Sequence, residues 1–303
     1  VNPISRLRAT VAGALDRRIA RALAHADRRR VVYCGDHVAL VRLRNGRPLY
    51  VDTRDTSIAV HLMLGTVWEP EITGVLTDLA RPGDTFVDVG ANFGVHSLML
   101  ADHLTGPRPF HLFEPNPAAA VLLRRSLLAN GLVSRAVLRT EALSDRAGEA
   151  RLTRWAELWG GASLRSREEI GGDDHPWLDL AVPDESVTVP TTTLDAYCDA
   201  HDLAALDLVK IDVEGHEDAV LAGMAGVLDR SPDARVVLEF TFGAYRDPEG
   251  FWAALTDAFP YRYALAPDGA RRAVGTLGDL RAATPAGLEL ANVVCTRTPP
   301  PWV

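Results

Sequence analysis

From Thr85 onward the chain keeps one rhythm: a short apolar run, a turn, then a helical pattern. The first unit is FVDVGANFGVHSLMLA, residues 86–101, which reads as a buried strand passing through glycines into a helix. Further strand candidates are Phe110–Phe113 and residues 136–141, 206–211, 236–240 and 291–295. Helical stretches such as AAAVLLRRSLLANG fill the first gaps. Alternating strands and helices predict a mostly parallel sheet with helices on both faces. Such sheets bind ligands at the carboxyl ends of their strands, near the point where the strand order reverses.

The region before this rhythm, residues 1–84, reads as a cap on a main domain of residues 85–303. Ile4, Leu7, Val11, Leu15, Ile19 and Leu23 recur at spacings of three and four, an amphipathic helix with a basic opposite face. Packing on the domain, or on a second copy in a homodimer, suits it better than a membrane surface. VALVRLR and PLYVD flank Asn45-Gly46, a strong hairpin signal. Helical patterns follow at residues 58–64 and from Pro70, with Pro82-Gly83 ending the second. Residues 151–190 break the rhythm with paired glycines and three tryptophans, Trp155, Trp159 and Trp177. An insertion of this size reads as a substrate lid, with ordinary packing as the alternative.

Composition removes several classes. No apolar run reaches the ~20 residues of a membrane span, and the N-terminus lacks the core of a signal peptide. Cys34, Cys198 and Cys295 are scattered and form no C-x-x-C, which predicts a reducing, cytoplasmic setting rather than a disulfide scaffold. A formal charge of −8 disfavours nucleic acid as partner. Of 32 basic residues, Lys210 alone is lysine. Where arginine serves every other need, that position reads as one wanting a compact ammonium.

The first turn constrains the ligand. A dinucleotide fold places G-x-G-x-x-G here, but only Gly90 fits: position 92 is Asn and position 95 is Val. The remaining D-V-G-A-N-x-G, with Asp88, Gly90, Ala91 and Asn92, suits a ligand with an amino-acid end. Asp88 is expected to face its ammonium, and backbone N–H groups at the helix N-terminus its carboxylate. Glu114 closes the second strand, while Asn116 and Pro117 already furnish the next helix start. An acid there binds ribose hydroxyls in nucleotide-binding α/β folds. Adenosine joined to an amino acid describes S-adenosyl-L-methionine. After the third strand, Ser144 or Asp145 is a candidate for the adenine amino group, with a plain turn as the alternative.

DLVKIDVEGHEDAVLAGM carries the candidate chemistry. Positions two apart in an extended strand share a face, so Lys210, Asp212 and Glu214 converge if the extension persists. Methyl transfer to an alcohol needs alignment and a base. His216 has the most suitable unperturbed pKa; Asp212 is the alternative, and Glu239 on the next strand assists. A divalent metal on Asp212 and Glu239 is not favoured, because the sequence secures no third ligand.

Seven segments between residues 52 and 242 resemble the FkbM family of S-adenosylmethionine-dependent methyltransferases. They are GTVWEPEIT, FVDVGANFGVHSLMLA, FEPNP, ALSDRAG, GGASL, VPTTTLD and VKIDVEGHE, in family order. The resemblance implies a class I, Rossmann-like methyltransferase sheet of seven strands with the last antiparallel. It implies O-methylation of a small-molecule hydroxyl on a sugar or polyketide-type product. It places Asp88, Gly90, Asn92, Glu114 and Asp212 around the cofactor and Glu69 and Thr73 over its methionine end. The competing functions are methylation of an amine, a nicotinamide-dependent oxidoreductase and a non-catalytic cofactor-binding scaffold. The missing glycines count against the oxidoreductase.

Overall fold

The computed structural model describes residues 31–65, 67–105, 110–155, 157–165 and 186–303. The expected N-terminal helix, with its proposed dimer role, and Trp177 lie outside these residues.

Three antiparallel strands open the described chain: β1 (Val32–Gly35), β2 (Val38–Arg42) and β3 (Pro48–Asp52). The Asn45-Gly46 hairpin joins β2 and β3 as expected, with Gly46 at φ 87°. Strand β1 has no comparable signal in sequence. Its turn places Asp36 and His37 both at positive φ, which a two-residue hairpin favours and few side chains accept. Helices α1 (Ile58–Met63) and α2 (Pro70–Leu79) follow, the second starting at its proline.

The main sheet contains β4 (Phe86–Val89), β5 (Phe110–Phe113), β6 (Ala136–Arg139), β11 (Leu208–Ile211), β12 (Arg235–Thr241), β13 (Tyr261–Leu265), β14 (Arg271–Ala273) and β15 (Leu290–Thr296). Their order is β14-β13-β15-β12-β11-β4-β5-β6. The five strands from β12 to β6 are parallel, and β15 runs antiparallel between β12 and β13. This is the class I methyltransferase arrangement with one correction: β14 adds a short eighth strand at the edge. Strands β13 and β14 escaped the sequence reading because their runs are broken by arginines, Arg262, Arg271 and Arg272.

Helices α3 (Val95–Leu100) and α4 (Pro117–Ala129) follow β4 and β5, and α5 (Leu194–Ala200), α6 (Glu217–Ala222), α7 (Ala225–Asp229), α8 (Pro248–Ala258) and α9 (Leu277–Ala283) come later in the chain. Strand side chains alternate between two apolar layers. Phe86, Leu112 and Leu208 join Leu76, Leu98 and Leu123 on one face. Val87, Val89, Val209 and Ile211 join Val220, Val227 and Leu255 on the other. The first layer also takes Leu49, Val51 and Ile58, so the hairpin region shares a core with the sheet.

The rhythm-breaking insertion contributes strands of its own. Strands β7 (Ala142–Leu143), β8 (Gly148–Trp155), β9 (Leu158–Ser163) and β10 (Val187–Thr192) form a second sheet ordered β7-β10-β8-β9. The third strand of the main sheet therefore ends at Arg139, and the next two residues lead into the second sheet.

Candidate active site

Strands β4, β5 and β6 step outward in one direction, and the chain then returns to place β11 beside β4. A cavity opens at this reversal, where ligands of such sheets bind. Gly90, Ala91, Asn92, Glu114, Asp212, Glu214 and His216 from the strand ends line it, with Glu69 and His96 from above. The insertion supplies a wall through Leu152, Trp159, Gly160 and Ala162. Trp159 stacks on Phe93 at 5.7 Å, and its carbonyl accepts from the Asn92 side chain. Trp155 instead is buried, donating to Gly161 O at 3.0 Å, and belongs to packing.

The turn after β4 is tighter than its sequence shows. A Cβ on Gly90 would sit 1.8 Å from the Asp212 carbonyl, and its φ is 75°, so glycine is required there. Gly90 and Ala91 both donate their N–H to Phe113 O at 3.0 Å, and Asn92 donates its own to Glu114 at 2.7 Å. These three donors are thus spent on the neighbouring strand end. Asn92 Oδ1 is buried without a hydrogen-bond partner.

Glu114 is buried, and its two carboxylate oxygens accept from Asn92 N and Asn116 N. Burial pushes its pKa up to about 7, against the opposing pull of those two N–H groups. Each oxygen keeps a second lone pair for a hydroxyl in the cavity.

Asp88 does not face the cavity as expected. It is 1% exposed and accepts from Ser97 Oγ, and its Oδ1 lies 3.6 Å from Lys210 Nζ. Register is the reason: Asp88 and Lys210 are direct neighbours on β4 and β11, on the same face as Phe86 and Leu208. Lys210 also donates to Gly90 O at 3.1 Å and pairs with Asp212 at 3.0 Å. Burial pulls its pKa down, but Asp212, Asp88 and Glu69 outweigh this and raise it. The lone lysine ties the first turn to the fourth strand, a task for a compact ammonium with three donors.

Glu69 and Thr73 meet at His96, which the sequence reading missed. Its Nε2 lies 3.1 Å from Glu69 Oε2 and its Nδ1 3.1 Å from Thr73 Oγ1. Burial would raise the Glu69 pKa, but the His96 contact, Lys210 and Trp68 outweigh it and lower the value. His96 sits in the first turn of α3, where HSLM reads as plain helix; only the distant Glu69 gives it meaning.

Ser144 and Asp145 do not line the cavity. Ser144 Oγ donates to Asp145 at 3.1 Å and meets His216 Nε2 at 3.0 Å. Ser144 instead contacts His216, which does line it.

The loop after β11 is held from beneath. Glu217 is fully buried, accepting from Val213 N at 2.9 Å, Gly215 N at 3.2 Å and Tyr245 Oη at 2.7 Å. Its position looks like a helix-start acid, so its clamping role was not legible. Burial lifts its pKa to about 7. The insertion latches the same loop: Ser163 donates to Glu214 O, and Arg165 donates to Gly215 O and pairs with Asp218. Glu214 and Glu239 are partly buried, and burial followed by crowding from Asp212 and Glu217, with Glu214 also acting on Glu239, raises both well above the ordinary carboxylate range. Six described non-glycine residues have positive φ, and three of them, Glu69, Asn92 and Glu214, line this cavity. Strained backbone concentrates where a site over-determines it.

A model of the Methyltransferase FkbM domain matches residues 88–263, more than half of the chain. The chain belongs to the FkbM methyltransferase family. Among its relatives, the 31-O-demethyl-FK506 methyltransferase FkbM of Streptomyces tacrolimicus is 36% identical over 163 residues, 48% of this chain and 60% of that protein. The 2-O-methyltransferase NoeI of Sinorhizobium fredii is 26% identical over 180 residues, 58% of this chain and 68% of that protein. The match to the first therefore spans less than two thirds of its length. Among solved structures, a methyltransferase FkbM from Methylobacillus flagellatus aligns at TM-score 0.40 and 13% identity, over 78% of this chain and 52% of that one. No helix of the described residues is long and apolar enough to cross a membrane.

Proposed function

We propose that this FkbM-family chain is an S-adenosyl-L-methionine-dependent O-methyltransferase acting on a hydroxyl of a small molecule, a sugar or polyketide-type alcohol. The observation that carries the reading is Glu114: a buried carboxylate at the end of β5, lining the cavity with lone pairs to spare. The cavity residues fit the cofactor in a second respect. Asn92 Oδ1 is an acceptor without a donor, and a methionine ammonium supplies one. Glu69, held ionised beside His96, adds a charge for the same group.

When bound, the cofactor supplies an electrophilic methyl group on a sulfonium. The chain's own residues do the rest. Glu114 takes the ribose hydroxyls, and Trp159 with Leu152 and Ala162 excludes water from the cavity. His216, which lines the cavity, would take the proton of the acceptor hydroxyl as that oxygen accepts the methyl group. A base so placed contributes ~10²–10⁴-fold. The relatives' printed names, a methyltransferase for 31-O-demethyl-FK506 and a 2-O-methyltransferase, support a hydroxyl acceptor over an amine. The test is transfer of labelled methyl from S-adenosylmethionine to a panel of macrolide and oligosaccharide alcohols and their amine analogues. Label on alcohols supports the reading; label on amines alone would reject it.

A further inference from the structure

We propose that Asp212, Glu214 and Glu239 hold a divalent metal ion of the oxygen-preferring kind, Mg²⁺ or Mn²⁺, beside the strand ends. The site goes beyond the methyltransferase reading, since ion binding does not require it. The role assigned to the ion does rest on that reading.

The three carboxylates come from two elements. Asp212 and Glu214 follow β11, and Glu239 stands on the adjacent β12. One oxygen from each lies within 4.8 Å of the others. Oxygen ligands bound at ~2.0–2.6 Å from one ion stand at most ~4–5 Å apart, so the spacing fits a shared ion. Carboxylate and water donors select Mg²⁺, Ca²⁺ and Mn²⁺ over softer metals.

The second observation is Glu239 itself. Its Oε2 is sealed from solvent and has no hydrogen-bond partner among the described residues. A carboxylate oxygen buried without a donor is costly unless a cation or proton meets it. Among the described residues, the two cations that bond to this loop are committed elsewhere. Lys210 is committed to Gly90 O, Asp88 and Asp212. Arg165 is committed to Gly215 O and Asp218. Glu217, the other acid of this region, is not a ligand, since its oxygens accept from Val213, Gly215 and Tyr245. Glu214 is presented by the loop that Glu217 and Ser163 hold from either side.

The ion's place defines its use. Asp212 and Glu214 line the cavity together with His216. An ion held there would make an alcohol oxygen bound to it more acidic and fix its orientation, with His216 on the same cavity wall to take the proton. Two or three protein oxygens leave coordination positions open for that hydroxyl and for water.

The experiment is a Mn²⁺ titration of the full chain after chelator treatment, followed by the electron paramagnetic resonance signal of free Mn²⁺. The wild type is expected to take up one Mn²⁺ per chain. Glu239→Gln and Glu214→Gln are expected to weaken uptake about tenfold or more, because even outer partners of metal ligands cost that much. Both substitutions keep side-chain shape and relieve like-charge crowding, and circular dichroism confirms that they fold. Absence of uptake at millimolar Mn²⁺, or wild-type uptake in both variants, would overturn the site. S-adenosylhomocysteine calorimetry on the same proteins separates the two readings. Mn²⁺ uptake without S-adenosylhomocysteine binding would leave the ion site standing and reject the methyltransferase.

Discussion

Two residues carry the chemistry in opposite senses. His216 faces the cavity with its Nε2 on Ser144, so its expected work is proton removal, not cofactor binding. His216→Ala is expected to lower turnover at least about tenfold while cofactor affinity stays within a few fold; steady-state kinetics beside calorimetry would show this, and near-normal turnover would pass the role to Asp212. Glu114 does the reverse. Its pKa of about 7 stands above the ordinary 4.5, so the folded chain holds its proton more tightly than the unfolded one. Its contribution to stability is therefore complete below pH 4.5 and is lost as pH rises through 7. In the proposed reading, ribose binding uses the ionised form, and runs the other way. Affinity for S-adenosylhomocysteine is expected to fall about tenfold for each pH unit below 7 and to level off above it; a flat profile in wild type would detach Glu114 from the ligand. The position of Glu114 was legible because Asn116 and Pro117 already explained the helix start. Its backbone clamps were not, since Asn92 is 22 positions away. His96 was illegible for the same reason: its meaning lies in Glu69, 27 positions earlier.

At the scale of elements, the account turns on how β4 and β11 meet. Asp88 and Lys210 are cross-strand neighbours in register, and both are almost fully buried. Lys210→Met strands the Asp88 charge, and removing one partner of a buried pair costs ~3–5 kcal/mol. Adding Asp88→Asn is expected to return much of that loss; urea midpoints of the single and double variants measure it, and equal midpoints for all would dissolve the pair. Gly90→Ala places a Cβ against the Asp212 carbonyl and is expected to abolish cofactor binding, with a lower melting temperature. Wild-type binding by that variant would mean that the turn is looser than its geometry. Sequence spoke clearly for these elements: Phe86–Val89 and Phe110–Phe113 end where their apolar runs end. It misplaced the end of the third strand because 136–141 is one continuous pattern, while the chain leaves the sheet at Arg139 to begin β7. Period two told which residues share a face with Lys210. It did not tell whether that face meets the cavity or the core, and Asp88 fell on the core side.

For the whole molecule, the parallel sheet and its reversal put the cavity where an alternating chain predicts it. What the alternation does not encode is the second sheet. Strands β7 to β10 pair across residues 142–192, and parallel β7 with β10 joins positions about fifty apart, beyond any local pattern. That sheet makes one wall of the cavity and, through Ser163 and Arg165, holds the loop that carries Asp212 and Glu214. Glu114, Asp212, Glu214 and the insertion thus converge on one opening. The most direct test is calorimetric titration of the full chain with S-adenosylhomocysteine, paired with Glu114→Ala. Hydrogen bonds to a charged group contribute ~1.5–3 kcal/mol each, so the account predicts micromolar binding that Glu114→Ala weakens by about 10- to 100-fold. No binding by the wild type, or equal binding by both proteins, would contradict it.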